Sequence, residues 1–288
     1  MKETRPFYVV GPTGSGKSSI ALSLAERWRG EIVNADAFQV YQGIPIITAA
    51  PSLEDRARAP HHLYEMIPLN EDYNVARYAQ EAEAVIEAIQ LRGRRPIVVG
   101  GSGLYLKALT HGLADTPAGE ADFREALETL SEQARVTWLE KLDPVGTERM
   151  NLRNPRYVMR ALEISLLSGV PASVLKSRWQ RDDPTDVEGI SILWEREDLY
   201  ARINGRVKEM LEAGVLKEIA SLPKTISGTA LKAIGVREFQ RHLAGEWSLD
   251  EAVTAIQQAS RRYAKRQTNW FRRESVFRRV TRAEAAAL

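Results

Sequence analysis

The residues best suited to chemistry lie near the start of the chain. Gly11, Gly16, Lys17 and Ser18, within Gly11-Pro12-Thr13-Gly14-Ser15-Gly16-Lys17-Ser18, match the spacing G-x-x-x-x-G-K-[ST]. Glycines at these positions allow a tight turn whose successive N–H groups face inward and cradle an anion. Lys17 adds a positive charge, and the Ser18 hydroxyl suits a magnesium ion. A polyphosphate is the expected ligand, and the loop alone does not name it. Asp36 supplies a carboxylate just after a second apolar run. In open α/β sheets, ligands sit beyond the carboxyl ends of strands, which places Asp36 near the loop. There it could bind magnesium, serve as a general base or cap a helix. Gly100-Gly101-Ser102-Gly103 is a third candidate, a small-residue turn that keeps backbone bare for a substrate with the Ser102 hydroxyl beside it.

Those residues need elements to hold them. Phe7–Val10, Glu31–Ala35, Pro96–Val99 and Gly189–Trp194 read as strands, short apolar runs bounded by turn residues. Helical patterns cover Ser19–Trp28, Tyr73–Leu91, Leu104–Leu109 and Arg196–Ala213, where Arg202 and Arg206 share a face. Leu249–Arg273 is the last long helix. Ala59–Pro68 is expected to be a loop, with His61 and His62 in packing or surface roles rather than as metal ligands. From 118 to 186 helical segments dominate, so the chain is expected to be an α/β, P-loop NTPase-like parallel sheet flanked by helices, 1–117 with 187–288, carrying an inserted all-helical subdomain, 118–186. The insertion ends near Asp182-Asp183-Pro184. Arg156 and Arg160 stand four residues apart, on one helix face that could grip phosphates or be solvated surface.

Composition narrows the classes. The 288 residues are 44% hydrophobic and 27% charged, as in ordinary globular proteins. The absence of Cys removes disulfides, Cys-ligated zinc and a thiol nucleophile. No signal peptide or membrane span is expected, and the chain is expected to be cytoplasmic and monomeric. Charge is uneven: 261–282 holds nine basic residues and one acid, 9 − 1 = +8, which leaves 2 − 8 = −6 elsewhere. A basic face on a nearly neutral chain fits a polyanionic partner or a solvated tail.

Taken together, GPTGSGKS (11–18), DAFQVY (36–41), APHHL (59–63), GGSGLYLKAL (100–109), RALE (160–163), LYARINGRVKEML (199–211), AIGVRE (233–238) and RRYAKRQTNWFR (261–272) resemble the tRNA dimethylallyltransferase family, in family order along nearly the whole chain. The resemblance implies transfer of a dimethylallyl group from dimethylallyl diphosphate to the N6 amine of the adenosine 3′-adjacent to the anticodon, in tRNAs reading codons that begin with U. It implies that Thr13–Ser18 hold the diphosphate, with Mg2+ at Ser18. Asp36 matches the family's general base, and Ser102 and Arg206 join it in the catalytic set. It implies tRNA contacts at Asp36, Ala37, Phe38, Gln39, Ser102 and Arg124, at Arg156, Tyr157, Val158, Met159 and Arg160, and at Lys232, Ala233, Ile234, Gly235, Val236 and Arg237. The expected partners are a tRNA anticodon stem-loop and dimethylallyl diphosphate. The chain departs from the family pattern at Ala37, Ala49, Ser102, Asn154, Tyr157, Val236 and Asn269. Two other readings use the same residues: a small-molecule kinase of the adenylate or shikimate type, and a non-catalytic RNA-binding protein with a vestigial loop.

Overall fold

The computed structural model describes residues 4–177, 184 and 187–288. The apolar runs form a six-stranded, all-parallel sheet of order β3-β2-β4-β1-β5-β6. Its strands are β1 (Phe7–Val10), β2 (Glu31–Ala35), β3 (His61–His62), β4 (Pro96–Gly100), β5 (Glu188–Ile192) and β6 (Arg278–Val280). β1 is central, with Val10 level with Gly100 on β4 and Ser191 on β5. Both its faces are covered, which explains its unbroken apolar sequence. Phe7 and Val9 pack into one core with α1 (Lys17–Trp28), while Tyr8 and Val10 point into the larger core on the other side. This is the period-two alternation of a strand.

Two short helices, α2 (Pro45–Thr48) and α3 (Leu53–Arg58), link β2 to β3. α4 (Val75–Leu91) and α5 (Gly103–His111) flank β4 in the chain. After β5 come α11 (Arg196–Glu212), α12 (Val215–Ala220), α13 (Val236–Leu243) and α14 (Leu249–Arg273), and α15 (Arg282–Ala286) follows β6. Between them run α6 (Ala121–Glu128), α7 (Glu132–Leu142), α8 (Pro144–Arg149), α9 (Pro155–Ser168) and α10 (Ala172–Ser177).

The chain divides into two units, 1–110 with 184–288, and 111–183. The second contains α6–α10 and closes its own core on Leu127, Leu139, Val158, Leu162 and Ile164. Residues 182 and 183, where the insertion was expected to end, and 185–186 lie outside the described residues.

The α/β class expected from the sequence is the class observed. One expectation is corrected: His61 and His62 are not in a loop but form edge strand β3, pairing with Ile32 and Val33. A two-residue strand is too short to show any periodicity. Its sequence gives no warning because its place is set by β2, which presents an open edge. The same holds for β6, whose Arg-Arg-Val sequence reads as surface.

Candidate active site

The turn after β1 has the geometry its glycines suggest. Gly14 and Gly16 have φ of 79° and 80°, left-handed values that favour glycine. Gly16 caps α1 without a side-chain cap, and the helix has no acid in its first turn. Its N-terminal dipole and free N–H groups therefore face the loop unopposed. Ser15 is fully buried, and its Oγ has no hydrogen-bond partner. A buried, unpaired hydroxyl is costly unless a ligand completes it. Lys17 stands in the same place. Burial lowers its ammonium to about 8, against an upward pull from Asp36 and a further downward push from Arg206.

Four side chains from later elements hold this loop from outside. Arg206 on α11 donates from Nη1 to Thr13 Oγ1 (3.1 Å) and from Nη2 to the Thr48 carbonyl (3.2 Å). Burial lowers its pKa, with Asp36 opposing the shift. Arg202, one turn earlier, donates to the Gly14 carbonyl (2.9 Å) and lies over the Trp194 ring, whose Nε1 donates to the Ser15 carbonyl (2.9 Å). Gln267 on α14 accepts from the Thr13 N–H (2.9 Å) and donates to the Gly101 carbonyl (2.8 Å). It ties the phosphate loop to the turn after β4.

Asp36 begins the turn after β2. Asn34, itself fully buried, holds that turn by accepting from the Asp36 N–H (2.9 Å) and donating to the carbonyls of Asp36 (3.1 Å) and Leu63 (2.9 Å). One Asp36 oxygen accepts from the Phe38 N–H at 3.0 Å. Among the described residues Asp36 forms no ion pair, yet its charge raises the pKa values of Lys17 and Arg206. Ser102 accepts from the Ala37 N–H at 2.9 Å, so its hydroxyl supports the Asp36 turn. Burial, with Asp36 adding to it, pushes the Tyr263 hydroxyl's pKa well up, and Ser102, Arg266 and Gln267 oppose that shift.

Four of these groups meet at one pocket, and Lys17 and Ser102 do not line it. Thr13, Asp36, Arg206 and Tyr263 form its polar side, and Ile47, Ile203, Val207, Met210 and Ile256 form its apolar side. Phe38, Ala233 and Ile234 also line it. Gln39 turns away and donates to the carbonyls of Thr48 (3.0 Å) and Ala49 (2.7 Å). Gly235 caps α13, its N–H donating to Glu238 at 2.9 Å. Lys232 and Arg237 are exposed, whereas Val236 is buried in the main core.

In the helical unit Arg156 and Tyr157 are exposed on α9. Val158 is 2% exposed and belongs to the helical core, so its side chain cannot meet a partner, and Met159 packs against the same core. A run of consecutive helical residues points in several directions, so only part of 156–160 shares a face. Arg124 and Arg160 converge on Glu163, which is 0% exposed, at 2.9 and 2.6 Å. Burial alone would raise the Glu163 carboxyl, but the bonds from Arg124, Arg160 and the Glu120 N–H hold it below its ordinary value.

Sequence reading gave no role to Asn34, Trp194, Tyr263 or Gln267. A buried amide in a strand and a glutamine in a basic helix carry a detectable signal only as polar residues at core-facing positions. That signal needs the register of the sheet and of α14 to be interpreted. No group of three or more His, Asp or Glu among the described residues could hold a metal ion.

Residues 39–274 match the family model described as IPP transferase. The chain is 44% identical to the tRNA dimethylallyltransferase of Geobacter metallireducens, covering 95% of this chain and 91% of that one. It is 41% identical to the tRNA dimethylallyltransferase of Akkermansia muciniphila, covering 95% and 92%. Among solved structures, the full-length tRNA isopentenylpyrophosphate transferase of Bacillus halodurans aligns with a TM-score of 0.66 at 34% identity, over 97% of this chain and 90% of that one. A eukaryotic dimethylallyltransferase captured acting on tRNA aligns with a TM-score of 0.83 at 28% identity, over 96% and 74%.

Proposed function

The chain belongs to the IPP transferase family, and from that premise we propose that it transfers a dimethylallyl group from dimethylallyl diphosphate to the N6 amine of the adenosine 3′-adjacent to the anticodon, in tRNAs reading codons that begin with U. One observation carries this reading. A desolvated lysine, an unpaired buried hydroxyl and an arginine surround the phosphate loop, and a carboxylate and an apolar wall share the adjoining pocket. A kinase would not need the apolar wall, and family membership leaves it without support.

The chemistry follows from charge. As the allylic C–O bond breaks, its electron pair passes to the diphosphate. The loop N–H groups, Lys17, the Ser15 hydroxyl and Arg206 would stabilise the growing negative charge. The adenine N6 forms the new C–N bond and gives its proton to Asp36. The second Asp36 oxygen is available for that proton, because only one accepts from Phe38. Ile47, Ile203, Val207 and Ile256 would surround the five-carbon chain and keep water from the allylic centre. The cavity holds about 70 Å³, well below the roughly 300–1,000 Å³ of ordinary ligand sites. The base must be unstacked to reach it.

Magnesium would travel with the diphosphate. The exposed Ser18 hydroxyl would be its protein donor, in keeping with an ion that takes few protein ligands alongside substrate phosphates. It would neutralise leaving-group charge. The exposed basic residues of α14, with Arg124, Arg156, Tyr157, Arg160, Lys232 and Arg237, would contact the tRNA backbone and loop. No helix among the described residues is long and apolar enough to cross a membrane, and we propose a cytoplasmic monomer.

The test is direct. The protein is incubated with magnesium, dimethylallyl diphosphate and undermodified tRNA carrying adenines 3′ of the anticodon, and nucleosides are read by mass spectrometry. Prenylated adenosine is the expected product. Its absence, with label moving from ATP to a small metabolite, would replace this reading by the kinase.

A further inference from the structure

We propose that Glu218 is a positioning residue for the reaction: it grips the first turn of α2 and thereby places the Thr48 carbonyl that holds Arg206 against the phosphate loop. This rests on the reading of Arg206 given above. Glu218, on α12, is partly buried and lies far in sequence from the loop it serves. Its Oε2 accepts from the Ile46 N–H at 2.7 Å and its Oε1 from the Ile47 N–H at 2.9 Å. Among the described residues no Lys or Arg forms an ion pair with it. Both carboxylate oxygens are thus committed to two consecutive backbone donors. Two charge-assisted bonds of this kind fix the orientation of a segment as well as its place.

The segment they fix is four residues long and cannot hold itself as a helix. It starts from Ile44, whose side chain does not cap it, and ends at Ala49 with φ of 48°, a left-handed value unfavourable for alanine. External bonds therefore determine its position. At the far end the Thr48 carbonyl accepts from Arg206 Nη2 and from Gln39, and Ile47 is a wall of the pocket. A continuous path runs from the Glu218 carboxylate through Ile46, Ile47 and Thr48 to the guanidinium, and from there to Thr13 Oγ1. Burial, with Glu65 adding to it, raises the Glu218 carboxyl, and the two amides oppose that shift.

The experiment is a double-mutant cycle of E218Q and R206A. Glutamine keeps the shape of the side chain but puts an NH2 group against one backbone N–H. The primary readout is the dissociation constant for inorganic pyrophosphate with magnesium, measured by calorimetry on the full chain. E218Q is expected to weaken binding about fivefold in the otherwise unaltered chain and less than about twofold in R206A, because coupled residues do not add. Equal weakening in both backgrounds, or none in either, would overturn the proposal. In the transfer assay E218Q should lower kcat about tenfold while KM for tRNA stays within about twofold. A rise in that KM with kcat intact would also overturn it. If E218Q does not fold, E218D, which keeps the charge and withdraws it by one methylene, carries the same cycle. R206A with unaltered pyrophosphate binding would remove both the diphosphate role of Arg206 and this route. Absence of prenyl transfer in the unaltered chain, with the pyrophosphate coupling intact, would overturn the reaction and leave Glu218 standing.

Discussion

Basic side chains in the two units are treated in opposite ways. In the helical unit, Arg124 and Arg160 close on the buried carboxylate of Glu163, which matches their charge locally. In the sheet unit, Lys17 and Arg206 are desolvated beside the phosphate loop, and no carboxylate touches either among the described residues. Arg206 instead meets a hydroxyl and a carbonyl. Desolvating a charge without a counter-ion is unfavourable, and a fold keeps such groups where a ligand will supply the missing charge. The Glu163 cluster organises a core. The Lys17–Arg206 pair awaits an anion.

The sharpest way to break this contrast is at Asp36, whose charge both site cations feel. If Asp36 is the base, D36A should lower kcat by roughly 10²–10⁴ while tRNA binding is kept. Equal collapse of filter-binding affinity would make it a counter-ion instead. Next is Glu163. E163Q leaves two partly exposed guanidiniums around a neutral amide and should cost about 2–3 kcal/mol, measured by urea denaturation. The Glu163 carboxyl is held below its ordinary 4.5. Its contribution should therefore be full above that value and vanish as pH falls through the depressed one.

Q267E turns a lone pair toward the Gly101 carbonyl and should cost about 1–3 kcal/mol, seen in thermal melting, with kcat falling in parallel. Lys17 then sharpens the electrostatic half of the contrast. Its ammonium titrates near 8 in the free protein, and an anion favours the protonated form. Pyrophosphate affinity should therefore fall as pH rises above 8, by up to about tenfold per unit, and K17M should flatten that profile. The smallest effect is at the exposed helix face. K265A should reduce the slope of log affinity for tRNA against log salt by about one, and an unaltered slope would take α14 off the binding face.

How much of this was legible in the chain differs by element. Phe7–Val10, the 11–18 turn and Leu249–Arg273 could be read because each has a local cause. A buried parallel strand must be apolar along its length, left-handed turns select glycine, and α14 starts at a capping box on Ser248 and Glu251. The site was legible where a motif is contiguous, and Asp36 was recognisable as the first carboxylate past a strand. Ser102 was recognisable too, and in the fold its hydroxyl accepts from the Ala37 N–H. Val158 and Val236 could not be told apart from their exposed neighbours until the helices were packed.

The sequence by itself determined the sheet class, the anion cradle and its lysine, because each depends on backbone geometry within a few residues. Only the tertiary structure decided which cations keep their charge for a ligand, and that Gln267, Trp194, Arg202 and Arg206 clasp the loop from some 180 to 250 residues away. The physical reason is that desolvation and counter-charge are properties of a place in space. A lysine beside a glycine turn and an arginine in a helix look alike in any chain until folding sets which of them finds a carboxylate.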